Sequence, residues 1–265
     1  MHPPSDDRDL FGNPPKHHAD WAHRRGEPRV FTLLWMVYLM GATVLMFSSM
    51  AMAYSISPEI TRPAARSMLL VVVIGFSVLW PMVRFSQAAL PFGDSEHVRF
   101  AIRDALVIFV PLQAVLWPQA LPVLAGWPIS VVAAISAFCF AWITILAGVV
   151  ALGSASIERN GSKDTPRILW MLIVILIVFG APIIASLQLS LRPDLAMVGV
   201  DRPRVGWLLS PVSGFLEIVR DRRELGTAAR VFHEQWRMII ALFFAGSALL
   251  LITRVLEVAR GRFRA

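Results

Sequence analysis

The sequence predicts an all-α fold: a polytopic helical membrane bundle of six spans, with seven as the alternative. Three observations carry this reading. Of 265 residues, 56% are hydrophobic and only 16% are charged, against about a quarter charged in a soluble domain. Mean hydropathy is +0.62. The charges are also unevenly placed: residues 30–58, 67–83, 105–157, 168–191 and 238–253 contain no Asp, Glu, Lys or Arg. A hydrocarbon core about 30 Å thick takes roughly 20 helical residues. A helix on the surface of a soluble core would carry charge on its outer face, and these segments carry none.

Residues 1–28 are rich in Pro, His and Asp and read as a polar, disordered cytoplasmic tail. Asp20 suits a short capped turn ending at Gly26, and Pro28 suits the first position of a new helix. The chain should therefore bend just before the first span. Ala51-Met52-Ala53 has the form of a signal-peptidase site, but the apolar run before it is too long for a signal peptide. That run is read as an uncleaved anchor.

Spans are expected near 29–54, 66–88, 100–121, 129–155, 166–190 and 236–256, in a bundle over 29–258 followed by a basic C-terminal tail, 259–265. Pro58 and Pro63 mark the first connection. Arg84 lies close enough to the end of the second span to snorkel to the interface. Asp94 and Ser95 suit N-caps, Pro111 should kink the third span, and Pro118, Pro122 and Pro128 shorten the next connection. Between the fifth and sixth spans, Ser210 and Pro211 form a helix-start signal. Val212, Phe215, Leu216 and Val219 then fall on one face, with Glu217, Arg220, Asp221 and Glu224 on the other. Gly226 suits the stop and Thr227 a cap for the last helix. This pattern predicts an amphipathic helix lying in the membrane interface. No internal repeat is evident.

Basic residues set the orientation. With six spans, the tails and the loops after spans two and four carry 5, 4, 3 and 3 Lys and Arg, 15 in all. The opposite loops carry 10, eight of them in the segment between spans five and six, counted through Arg237. Both termini are therefore expected in the cytoplasm, with the bacterial inner (plasma) membrane as the expected location. The eight arginines pull against this, and a crossing by 205–220 would give seven spans.

Chemistry-bearing motifs are sparse. All six histidines, His2, His17, His18, His23, His97 and His233, lie outside the expected spans. The adjacent His17 and His18 sit in a stretch with no fixed geometry for a metal. Asn160-Gly161-Ser162-Lys163 lacks the spacing of a phosphate loop and reads as a turn. The single cysteine, Cys139, lies in an apolar run and reads as a packing residue. Ser48, Ser49, Gln87, Gln113 and Gln188 are read as interhelical hydrogen-bonding groups. No catalytic, cofactor-binding or metal residue is assigned, and an enzyme is not expected. The lipid bilayer is the expected environment, and nucleic acid is not an expected partner.

One packing feature is specific. Ala133, Ala137, Ala141, Thr144, Gly148, Ala151 and Ala155 share one face of the fourth span. Small residues let membrane helices approach closely, so that face should meet another helix, with Ile143 pointing outward. Ala241, Ala245 and Ala248 form a shorter stripe in the last span.

Six spans, cytoplasmic termini, a bent approach to the first span and short external helices between spans five and six resemble, in outline, the membrane subunits of ABC-2 transporters. The resemblance implies a permease that relies on a separate cytoplasmic ATPase or another membrane subunit, and a homodimer is compatible with it. The alternative is a non-catalytic structural or assembly protein acting through helix packing. With both termini cytoplasmic, alkaline phosphatase fused after Ala265 should be inactive in cells. An active fusion would reject the six-span orientation.

Overall fold

The computed structural model describes residues 28–51, 58–87, 97–160, 164–191, 203–222 and 229–264. The expectations for the N-terminal tail, Asp94, Ser95, Gly226 and Thr227 lie outside them. Among the described residues, six helical segments are long and apolar enough to cross a membrane. The first is α1, Pro28–Ala51. The second is built from α2, Pro58–Ile74, a π-turn at Gly75–Leu79, and α3, Trp80–Gln87. The third is α4, His97–Leu116, ending in a 3-10 turn at Trp117–Ala120. Then come α5, Ile129–Arg159, and α6, Asp164–Leu191. A 3-10 turn, Val205–Leu209, and the short α7, Pro211–Ile218, precede the last span, α8, His233–Arg264. At 1.5 Å per residue the eight residues of α7 reach about 12 Å, far short of a crossing.

Proline and glycine punctuate the chain where expected. Pro28, Pro58 and Pro211 open helices, where a missing N–H costs nothing. Gly126 takes a positive φ of 60° in the α4–α5 connection, a conformation glycine reaches without penalty. Its N–H donates to Leu121 O, and Trp127 N–H donates to Gln119 O. Arg62 Nε ties the start of α2 to this connection through Ala125 O at 3.1 Å.

The π-turn in the second span is not foreshadowed by the residue pattern. Trp80 N–H donates to Gly75 O, five residues back. At its start, Tyr38 Oη donates to Val71 O at 2.7 Å, and a Cβ on Gly75 would collide with the Tyr38 ring. A π-turn accommodates about one extra residue in the helix. A face assigned upstream at 3.6 residues per turn therefore does not continue unchanged through Trp80 and Arg84.

The centre of the bundle is α5, packed most extensively against α8 and α4. Ala141, Thr144, Gly148 and Ala151 of the small-residue face are buried, while Ala133, Ala137 and Ala155 are partly covered. Ile143, expected to point outward, is fully buried, because α5 is enclosed on several sides. The last span also differs from expectation. Ala241, Ala245 and Ala248 are exposed, and α8 instead turns Ile239, Leu242, Gly246, Thr253 and Glu257 inward. Two glycines set the approach of these helices. A Cβ on Gly148 would lie 2.7 Å from the Leu249 side chain, and one on Gly246 would lie 2.8 Å from the backbone N of Ile145.

Gly246→Leu, set against backbone, should destabilise the bundle by about 1–3 kcal/mol or more through overpacking. Gly148→Leu should cost less, because Leu249 can shift. Ala245→Leu should be nearly silent. Thermal melts in mild detergent measure this, and equal effects for Gly246→Leu and Ala245→Leu would remove the close-packing account.

Candidate functional site

The segment 203–222 folds as a hairpin inserted into the bundle. The 3-10 turn runs inward, Ser210 sits at the tip, and α7 returns. Ser210 caps α7 as the sequence predicts: its Oγ accepts from Ser213 N–H, and Pro211 occupies the first helical position. The tip is anchored at depth. Ser210 Oγ donates to Val178 O of α6 at 2.5 Å, and Trp142 Nε1 of α5 donates to Leu208 O at 3.2 Å. Ser213 Oγ donates to Trp207 O at 2.7 Å. Trp142 and Val178 each lie about 20 Å from the nearer of the helix ends on the hairpin side, close to the middle of their spans. Irregular backbone at membrane depth requires protein or water partners for its polar groups. Here two side chains from the hairpin and one from α5 fill that role.

The helix lies otherwise than an interfacial amphipathic helix would. Phe215 and Val219 are buried and Val212 is half-buried, but Leu216 is 39% exposed and Glu217 only 2% exposed. Gly214 explains the close fit, since a Cβ there would run into Phe138 of α5. Once the helix is enclosed by α2, α5 and α6, its polar residue finds arginines inside the fold and no longer has to face water.

The mouth of the hairpin is a cluster of charge. Glu217 Oε1 accepts from Arg222 Nη2 at 3.1 Å and from the Arg204 backbone N–H at 3.1 Å, and Arg220 Nη2 lies 3.2 Å away. Asp221 pairs with Arg66 of α2 at 2.6 Å. Arg222 and Arg230 lie over the Phe232 ring, at 4.6 and 5.8 Å from its centroid. These contacts place part of the Arg-rich segment inside the assembly.

A second charge centre lies toward the opposite end, where α1 begins and α8 ends. Arg84 of α3 and Asp104 of α4 form a bidentate pair, with Arg84 Nη2 to Asp104 Oδ1 at 2.7 Å and the second bond from Nε to Oδ2. Their side chains are 3% and 0% exposed. Trp80 Nε1 donates to Asp104 Oδ2 at 3.2 Å, and Arg84 Nη1 donates to Gln87 Oε1 at 2.9 Å. The guanidinium lies over the rings of Phe31 and Phe100, 4.4 and 4.5 Å from their centroids. This corrects the snorkelling expectation for Arg84. The aspartate partner comes from another helix, and helical periodicity within one segment cannot reveal it. Nearby, His97 Nε2 meets Glu158 at 2.8 Å, and Glu257 of α8 accepts from Val98 N–H at 3.1 Å, so one end of α4 is tied to both α5 and α8.

Of the polar groups singled out from sequence, Gln113 does join helices, accepting from Ser136 Oγ at 2.7 Å. Gln87 joins the Arg84 centre, and Ser49 bonds within its own helix to Met46 O. The Gln188 side chain lies outside the described residues. Cys139 is buried in the core. Among the described residues no group of three His, Cys, Asp or Glu could hold a metal ion. No family model, no curated protein and no solved structure matches the chain.

Chemically, the two centres hold helices together: each carboxylate already faces its arginine. Asp104→Ala would strand a buried guanidinium and should cost about 3–5 kcal/mol. Arg84→Met combined with Asp104→Leu should cost much less than the single change. Denaturation in detergent separates the two outcomes, and a double variant no more stable than Asp104→Ala would count against a dominant unpaired-charge penalty.

Proposed function

We propose that this chain is the membrane-embedded subunit of a transporter that draws its energy from a separate cytoplasmic ATPase. The observation that carries this reading is the hairpin 203–222, held near mid-depth between the fifth and sixth spans. Non-helical backbone at such depth occurs where it is buried in protein or lines a cavity, and discontinuous segments of this kind form the binding sites of many transporters. Its position in the chain matches the short helices expected from the ABC-2-like outline. The bidentate pairing of Asp104 and the crowding of donors on Glu217 favour charges with a holding role over a proton relay. Energy is then drawn from a partner, and no enzymatic step is assigned to the chain itself.

The alternative, an assembly protein acting through packing, draws on the broad apolar faces of α1 and α6. Leu33, Val37 and Met40 of α1, and Leu172, Leu176 and Ile183 of α6, are widely exposed. Such faces suit lipid, a second membrane protein or a second copy.

Purification in mild detergent should recover an ATPase with the chain, and the pair in liposomes should couple hydrolysis to solute movement. The isolated chain should show no uptake driven by a pH gradient. Gradient-driven uptake by the chain alone would overturn the reading, and recovery only with a membrane complex lacking an ATPase would favour the assembly role.

A further inference from the structure

We propose that the groove between α1 and α2 is a binding site for one hydrocarbon chain of a membrane phospholipid. The inference stands on the depth, length and lining of the groove and does not depend on the transport reading. The groove has a volume of about 460 Å³, and its walls include Ala42 and Ser49 of α1 and Ala64 and Ser67 of α2. These small side chains leave the space between the two helices unfilled. Met46 and Met68, which also line it, are buried, whereas Ser49 and Ser67 are exposed along its open side. Val71 marks the deep end. There Tyr38 Oη of α1 donates to Val71 O at 2.7 Å and joins the two helices. The missing Cβ of Gly75, where the π-turn begins, leaves room for the Tyr38 ring at that level.

The dimensions select the occupant. From Ile60 to Val71 the groove follows α2 for about 16 Å, close to half of a hydrocarbon core about 30 Å thick. It begins near the start of the second span and ends toward the middle of it, so its length is that of one leaflet. A helix from a partner or a second copy is about 10 Å across and runs the full thickness of the membrane, which the groove does not. A single extended acyl chain matches its length.

Charge points the same way. Among the described residues, no side chain lining the groove is ionisable. The arginines of α2 are engaged elsewhere, Arg62 with Ala125 O and Arg66 with Asp221 of the hairpin. The groove is therefore complementary to uncharged hydrocarbon and leaves the headgroup unselected. An apolar hollow stays dry, and left empty it forfeits the dispersion contacts of its walls. A chain from the surrounding leaflet restores them. Because Tyr38 and Val71 tie α1 to α2 below it, the groove keeps its shape before the chain arrives.

The test uses the full chain in vesicles of phosphatidylethanolamine that carry a photoactivatable diazirine midway along one acyl chain. After irradiation and digestion, adducts should concentrate on the groove residues of α1 and α2, over the exposed face of α8 around Ala241 and Ala245. Ser67→Phe fills the groove from one wall and should lower the groove adduct roughly tenfold, the loss of about ten carbon–carbon contacts. Ser49→Phe, from the other wall, should act in the same direction and carries the test if the first variant fails to fold. Ala245→Phe, on α8, should leave the groove adduct unchanged. Phosphatidylglycerol with the same labelled chain should mark the groove to within about twofold of phosphatidylethanolamine. Adducts spread evenly over the exposed faces of α1, α6 and α8 would mean surrounding lipid only and would overturn the proposal. So would a groove adduct untouched by both serine variants, or a tenfold dependence on the headgroup.

Discussion

In hydrocarbon, a backbone amide or carbonyl without a partner costs several kcal/mol, and the hairpin 203–222 brings irregular backbone close to the middle of the bundle. Its tip is held by Trp142 donating to Leu208 O and by Ser210 donating to Val178 O, with Ser213 closing on Trp207 O. The arrangement of the neighbouring helices follows from this need. A span must present an indole at one level, another must present a carbonyl, and both must stand close enough for a short helix to fit between them. Gly214 against Phe138 is where the fit is tightest.

The hairpin stands beside α5, the central helix of the bundle. A helix reached by the hairpin from one side and by α4 and α8 from others cannot keep a lipid-facing surface, so even Ile143 is buried. Glycine on both partners lets α8 come close: Gly148 admits Leu249, and Gly246 admits the α5 backbone near Ile145. In a membrane, close approach replaces the hydrophobic drive that water would supply, because lipid tails are as apolar as the side chains. The outer helices α1 and α6 carry large exposed apolar residues, which suits lipid contact.

The buried charges follow the same logic of satisfaction. Arg84 and Asp104 sit at the junction of α1, α3 and α4, where two aromatic faces, a glutamine and an indole complete their shell. At the other end Glu217 gathers donors from before and after α7. One centre clamps the transmembrane helices, and the other clamps the hairpin and, through Asp221 and Arg66, joins it to α2.

The sequence by itself determined the class of fold, the number of helices able to span, and the start of α7 at Ser210 and Pro211. These depend on local properties: unbroken apolar length, the fixed φ of proline, and the capping capacity of a serine hydroxyl. Only the tertiary structure decided which way the charged residues point. Arg84 reads as a snorkelling end residue until Asp104, twenty positions away on another helix, is placed against it. Glu217 reads as the polar face of a surface helix until Arg204, Arg220 and Arg222 surround it. Ala241, Ala245 and Ala248 form a regular stripe, yet they are exposed while Gly246 meets α5. Periodicity within one helix identifies a face but not its neighbour, and in a bundle with lipid outside and protein inside, both surroundings accept an apolar stripe. Only the positions of the other helices separate the two.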